Sequence, residues 1–250
     1  MNTESESMPA MVALITGGAR RIGAEIARCL HHEGMSIALH YHTSRDDARA
    51  LCDELNAARP ASARPFEADL RDTAAIGALA ASVENAFTRL DVLVNNASTF
   101  FETPVGAIDN AAWNELLDTN LKAPLFLSQA AAPLLRETKG CIINIADIYA
   151  SKPLSGYAVY CAAKAGLVMS TRTLALELAP DIRVNAIAPG AILWPETDGG
   201  EALRAAVVAN IPMGHAGDPA DIAQTVLFLV RDAHYVTGQV IRVDGGRAIG

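Results

Sequence analysis

A single α/β domain built on a parallel, doubly wound sheet is the fold this sequence predicts, and three observations carry the prediction. Short apolar runs alternate with longer helical patterns almost from end to end, the order that yields parallel strands joined by helical crossovers. The runs lack polar/apolar alternation, as expected of strands covered by helices on both faces. The chain has 250 residues, 51% of them hydrophobic, enough for one sizeable core, and no repeat or linker divides it.

The elements follow in order. Residues 11–15 are the first apolar run. That strand leads into Thr16-Gly17-Gly18-Ala19-Arg20-Arg21-Ile22-Gly23, and a helical pattern continues over 21–33. Glycines at a strand-to-helix turn admit a close backbone, and the helix N-terminus attracts anions. The turn is therefore a candidate phosphate site, although it is not a clean G-x-G-x-x-G. Residues 36–41 form the second strand and 44–58 the next helix, where Ser44 with Asp47 resembles a capping box. Residues 63–68 are a weaker strand, and 73–88 a helix. A fourth strand at 91–94 precedes one long helical stretch over 110–136. Strands at 141–146, 183–187 and 239–243 and helices at 157–178 and 219–230 complete a seven-stranded sheet. Between them, 189–213 is irregular, with a candidate short helix at 201–210. A stretch of that length in a compact domain reads as a substrate lid, about 190–213. Residues 1–8 read as a flexible tail, leaving 9–250 as the domain.

In such a sheet, ligands sit beyond the carboxyl ends of the strands, and the second strand ends near an adenosine ribose. A site that prefers NAD usually places an acid there. This chain has His40-Tyr41-His42-Thr43-Ser44-Arg45, with no acid before Asp46. Arg21, His42, Ser44 and Arg45 offer donors and positive charge to a 2′-phosphate, which points to NADP(H). The structural alternatives are a solvated helix-start Arg45 and a packing role for His42. Asp69, followed by Leu70, comes just after the third strand and would accept from the adenine amine or cap a helix. Asn95-Asn96-Ala97 ends the fourth strand, where small and amide residues would line adenosine and ribose.

Tyr160 and Lys164 lie one helical turn apart and share a face, so ammonium and phenol can act on one bound molecule. A phenol has a reference pKa of about 10, and a neighbouring cation is the simplest way to lower it. Asp147, thirteen residues upstream of Tyr160, sets a carboxylate near the pair; its structural alternative is an N-cap or strand-end acid.

The net charge of −8 argues against general attraction to nucleic acid or acidic membrane surfaces. Cys29, Cys52, Cys141 and Cys161 show neither Cys-x-x-Cys nor any metal-ligand spacing, so free thiols and no metal are expected. No apolar run reaches the roughly 18 residues that cross a bilayer. The opening Met-Asn-Thr-Glu-Ser-Glu-Ser is unlike a secretory signal. The expectation is a cytoplasmic protein.

Together Thr16–Gly23, Asn95-Asn96-Ala97, Asn120, Tyr160-x-x-x-Lys164 and Pro189-Gly190 resemble, in order and spacing, the short-chain dehydrogenase/reductase family over about residues 10–246. The resemblance implies a Rossmann-type fold. Within that family the chain is similar to the pteridine reductases: Arg21 stands for a turn glycine, and His40-Tyr41-His42 and Asn96-Ala97-Ser98-Thr99-Phe100 match their segments. Asp147 occupies the site where most relatives carry a catalytic Ser.

That resemblance implies NADPH-dependent reduction of a dihydropterin or dihydrofolate by a homotetramer. It makes Tyr160 the proton donor and Lys164 the group that lowers the phenol pKa and holds the nicotinamide ribose. Asn120 would support a water relay to that Lys, or be an interior helix Asn bonded only to backbone. Asp147 as a carboxylate accepts from a pterin amine or passes a proton to Tyr160, which suits an N–H-bearing heterocycle better than a ketone. Phe100 would stack on the pterin, with a core position as its alternative; Ser98 would donate to pterin or cofactor phosphate. Arg21 and Trp194 complete the expected substrate contacts, although the segment Ala191-Ile192-Leu193-Trp194-Pro195-Glu196 departs from the better-known pteridine reductases. The side-chain preference among pterins is left open. Two other functions compete: a carbonyl reductase for a ketone or 3-oxoacyl thioester, and an NADP(H)-sensing binding protein without turnover.

Overall fold

The computed structural model describes residues 11–193 and 200–249. The expected tail and Trp194 lie outside the described residues. Seven parallel strands form one sheet: β1 (Val12–Ile15), β2 (Ser36–Tyr41), β3 (Ala63–Glu67), β4 (Val92–Asn95), β5 (Cys141–Ile145), β6 (Arg183–Pro189) and β7 (Val240–Val243). Their order, β3-β2-β1-β4-β5-β6-β7, reverses direction between β1 and β4. A crevice opens beyond the carboxyl ends at such a reversal.

Alternate strand residues serve two cores, which is why the strands read as continuous apolar runs. Ala13 and Ile15 of β1 face α1 (Arg21–His32), α2 (Arg45–Ala58) and α8 (Pro219–Arg231) through Ile26, Leu30, Leu51, Leu55 and Val226. Val12 and Leu14 face α3 (Thr73–Phe87), α5 (Ala123–Thr138) and α6 (Ala158–Leu178) through Ile76, Leu79, Leu127 and Leu174. Full burial of each such side chain contributes about 1.5–3 kcal/mol, and Leu14 and Ile15 are both 0% exposed.

Two local expectations change. The stretch expected as one helix divides into α4 (Asn110–Leu117), a π-helical turn (Asp118–Lys122) and α5. The backbone N–H of Ala123 reaches the Asp118 carbonyl, five residues back. Pro124 is the physical reason: it has no N–H to give the Asn120 carbonyl in an α register. The capping box expected at Ser44 is absent. Ser44 sits at φ −87°, ψ 56° and its side chain makes no cap bond, because a capping side chain needs an extended backbone to meet the first-turn amides. Asp218 has that backbone, and it forms a reciprocal box with Asp221 at α8. In the segment expected as a lid, α7 (Gly200–Val208) is the short helix.

Candidate active site

The crevice at the strand reversal is a cleft of about 900 Å³, walled by the β1–α1 turn, the ends of β2 to β6 and the face of α6. At its cofactor end, Gly17 has φ +57° and donates its N–H to His40 Nδ1 at 3.1 Å. His40 Nε2 lies 3.1 Å from the Ala68 carbonyl. One ring nitrogen therefore accepts and the other donates, and burial holds His40 neutral with its pKa lowered to about 4. Gly23 leaves no room for a side chain: a Cβ would sit 2.4 Å from the Gly17 carbonyl oxygen and 2.6 Å from Asn96 Nδ2. Asn96 Nδ2 donates to the carbonyls of Thr16 and Gly17. A turn packed this closely, opening a 12-residue helix, has the shape and the amide dipoles that a dinucleotide phosphate needs. The residues present fit that group.

Arg20, Arg21, Ile22, His42, Thr43, Ser44, Asp69, Leu70, Ala97 and Ser98 also line the cleft as expected. Arg21 holds φ +55°, a left-handed conformation that costs a non-glycine residue about 1–2 kcal/mol. Three expected residues stand elsewhere. Thr16 is buried, and its hydroxyl accepts from the amides of Asn96 and Ala97 at 2.9 and 3.0 Å, so it ties β4 to the turn. Arg45 is not in the cleft wall; it pairs with Glu67, which also accepts from Tyr41 Oη at 3.0 Å. The acid at the end of β3 holds Arg45 at the surface. Asn120 is fully buried behind the wall.

Asp69 is not a helix cap either, since Asp72 caps α3 by accepting from Ala74 N–H. Asp69 instead binds Arg71 at 2.8 Å, and that hydrogen bond holds its pKa down at about 2. Arg71 thereby joins the adenosine end of the cleft, a position sequence reasoning missed although it lies two residues from Asp69.

At the opposite end, Asp147 follows β5. Its Oδ1 accepts from Tyr149 N–H at 2.9 Å, capping a short 3-10 turn (Ile148–Ala150), while Oδ2 accepts from Tyr160 Oη at 2.7 Å. The cap and the active-site partner are the same carboxylate. Burial pushes the Asp147 pKa up against the pull of Tyr149, Tyr160, Lys164 and Arg247. Lys164, 2% exposed, donates to the Ile145 carbonyl at 3.0 Å. Its desolvation lowers its pKa to about 8, opposed by the charge of Asp147.

Lys164 does not dominate the Tyr160 pKa as expected. Burial, then the charge and hydrogen bond of Asp147, raise the phenol well above 10, against a lowering hydrogen bond from Ser98. The Lys164 ammonium lies over the ring face, 5.7 Å from its centroid, and its bond goes to Ile145. Asn120 makes no direct bond to Lys164. Its Oδ1 accepts from Ser98 Oγ at 2.6 Å, and its Nδ2 donates to the carbonyls of Thr99 and Leu116. It therefore bears on Tyr160 through Ser98.

Phe100 is 48% exposed in the cleft wall rather than buried in the core. It stacks on Tyr157 at 4.5 Å and meets Tyr160 edge-on at 4.7 Å. Pro189 and Gly190 close the far side, where a Cβ on Gly190 would lie 2.7 Å from Asp244. Arg247 and Tyr149 also line this end, with the guanidinium 5.6 Å above the Tyr149 ring. Neither had been expected; the only sequence signal was an Arg after the Asp244-Gly245-Gly246 that follows β7. Among the described residues no cluster of His, Cys, Asp and Glu could hold a metal, and no helix is long and apolar enough to cross a membrane.

A family model described as "Enoyl-(Acyl carrier protein) reductase" matches residues 17–248. A 3-oxoacyl-[acyl-carrier-protein] reductase FabG of Staphylococcus aureus is 38% identical over 238 residues, covering 94% of this chain and 96% of that protein. Pteridine reductase 1 of Leishmania tarentolae is 36% identical over 284 aligned positions, covering 97% and 98%. An uncharacterized oxidoreductase of Methylorubrum extorquens is 35% identical over 241 residues, covering 94% and 96%.

Proposed function

The chain belongs to the short-chain dehydrogenase/reductase family, and from that premise we propose that this oxidoreductase is an NADPH-dependent reductase of a dihydropterin or dihydrofolate. One observation carries the reading: the carboxylate of Asp147 lies 2.7 Å from the phenol oxygen of Tyr160. A ketone needs a hydrogen bond donated to its oxygen, which a carboxylate does not supply. A pterin needs an acceptor for its N–H groups and a proton for its ring nitrogen, and an Asp–Tyr pair supplies both.

NADPH, when bound, supplies the hydride, with the β1–α1 turn holding its phosphates and Lys164 its nicotinamide ribose. The residues handle the proton. Raised well above 10, the Tyr160 phenol keeps its hydrogen at neutral pH and has it ready for the substrate nitrogen. Asp147, pushed up by burial, takes a proton more readily than a surface Asp and can return one to Tyr160. Below about 8 Lys164 is a cation, which opposes the negative charge left on the phenol oxygen. Phe100, half-exposed in the cleft wall, gives a flat heterocycle an aromatic side chain to pack on, and Arg21 and Ser98, which line the same cleft, would contact the substrate.

A 3-oxoacyl thioester reductase is the second reading, supported by the Staphylococcus relative and by the Ser98 hydroxyl beside Tyr160. The test follows NADPH oxidation with dihydrobiopterin, dihydromonapterin, dihydrofolate, a simple ketone and an acetoacetyl thioester. Turnover of the pterins is the expected result; turnover of the thioester alone would overturn the pterin assignment. A homotetramer in the cytoplasm, with residues 190–213 as the lid, belongs to the same proposal.

A further inference from the structure

Arg247 is a partly buried cation in the cleft wall that makes no ion pair among the described residues. Among the described residues its guanidinium has no hydrogen-bond acceptor, and it lies over the face of Tyr149. Burying a charge without a partner is unfavourable, so the arrangement calls for an anion from elsewhere. The backbone that carries it is held firmly. Asp244 accepts from the amides of Gly246 and Ala248 at 3.0 and 2.8 Å, and Lys152 Nζ donates to the Arg247 carbonyl at 2.7 Å. These three tethers fix the backbone from which the side chain projects, and the Tyr149 ring lies under the guanidinium.

That place is the substrate end. Tyr149, on which Arg247 stacks, is the residue whose N–H is capped by Asp147, and the charge of Arg247 is close enough to act on Asp147. Leu193 and Val207 continue the wall with apolar surface. A molecule reacting at Asp147 and Tyr160 would thus meet one cation beyond its reacting ring.

We propose that Arg247 is an anion subsite for the tail of the substrate, taking a carboxylate or phosphate on the molecule whose ring lies against Asp147 and Tyr160. The proposal rests on the reductase reading of that site and deepens it: among pterins it selects those with an anionic side chain. A carboxylate tail and a phosphate-bearing thioester arm share this chemistry, so both enter the test.

The test compares wild type, Arg247→Gln and Arg247→Lys in the full chain with NADPH. Substrates are dihydrofolate, which carries carboxylates, dihydrobiopterin, whose side chain is neutral, acetoacetyl-coenzyme A, which carries phosphates, and a small neutral ketone. In Arg247→Gln the ratio of kcat/KM for dihydrofolate to that for dihydrobiopterin should fall at least tenfold, about 1.4 kcal/mol. The loss should lie in KM, and Arg247→Lys should restore part of it. A ratio that stays within threefold of wild type overturns the subsite. If only the thioester and ketone are turned over, the pterin reading fails while the same ratio, taken between those two, still decides on Arg247. If nothing is turned over, calorimetric binding of folate and biopterin to the NADP⁺-loaded protein decides. Weaker folate binding in Arg247→Gln supports the subsite, whereas equal or absent folate binding overturns it.

Discussion

Replacing Asp147 with Asn is the most direct probe of the proton path, because it removes charge while keeping shape. The Asn side-chain oxygen can still accept from Tyr149 N–H, so the short turn after β5 keeps its cap. Lost is the acceptor charge 2.7 Å from Tyr160 Oη and with it the group that returns the proton. A hydrogen bond to a charged group is worth about 1.5–3 kcal/mol, and positioned acid–base groups contribute about 10²–10⁴ in rate. A fall of about 100-fold or more in kcat is expected, with little change in NADPH affinity. The pH profile gives a second reading. Asp147 is the charge that holds the Lys164 pKa up near 8 against burial, so the alkaline limb should move to lower pH in the variant. Folding should barely suffer. Burial raises the Asp147 pKa, so the carboxylate disfavours the native state at neutral pH, and its removal offsets the weakened bond. Steady-state kinetics from pH 6 to about 9.5, with thermal melting as control, provide the assay. Turnover within threefold of wild type, or an unmoved alkaline limb, would refute this reasoning.

Other substitutions separate cofactor, stability and catalysis. Lys164 has a pKa lowered from 10.5 to about 8, a difference worth about 3 kcal/mol at about 1.4 kcal/mol per pH unit. The fold disfavours its charged form, so below pH 8 that cost is present in full, and it is relieved as pH rises from about 8 towards 10.5. Denaturant titrations at pH 7.5 and 9.5 should show wild type gaining stability relative to an inactive Lys164→Met; no relative gain counts against the burial argument. Arg21→Gly should raise stability by about 1 kcal/mol by releasing the left-handed backbone, while NADPH KM rises more than NADH KM. An unchanged NADPH/NADH preference would remove Arg21 from the 2′-phosphate site. Gly23→Ala forces a Cβ to 2.4 Å from the Gly17 carbonyl oxygen, an overpacking that costs about 1–3 kcal/mol. NADPH binding, followed by fluorescence, should weaken by at least tenfold, and wild-type affinity would show that the turn has slack.

What was legible in the sequence follows from how far each residue's partner lies along the chain. All seven strands were visible, because strands with helices on both faces bury every residue and so read as unbroken apolar runs. Tyr160 and Lys164 were visible because a helix fixes the spacing of a shared face. The break at Asp118–Lys122 was concealed by a periodic apolar pattern that ran through it, although Pro124 carried the reason. Charge proved the poorest guide. Arg45 and Arg247 are the same residue type, yet Glu67 from a neighbouring strand neutralises the first, while the second sits in the wall almost 100 residues downstream of Tyr149. Nothing local to either Arg states which acid the fold will bring.

The same limit explains the Tyr160 pKa. From sequence, a cation one turn away should lower it. In the fold Lys164 donates a hydrogen bond to the Ile145 carbonyl and Asp147 accepts one from the phenol, so the carboxylate outweighs the cation at the phenol. Asp147 could be read from sequence as a cap or as a catalytic partner, and one oxygen does each. The cap fixes the carboxylate so that its other oxygen meets Tyr160, and a turn-forming hydrogen bond thereby sets the direction from which a proton can arrive.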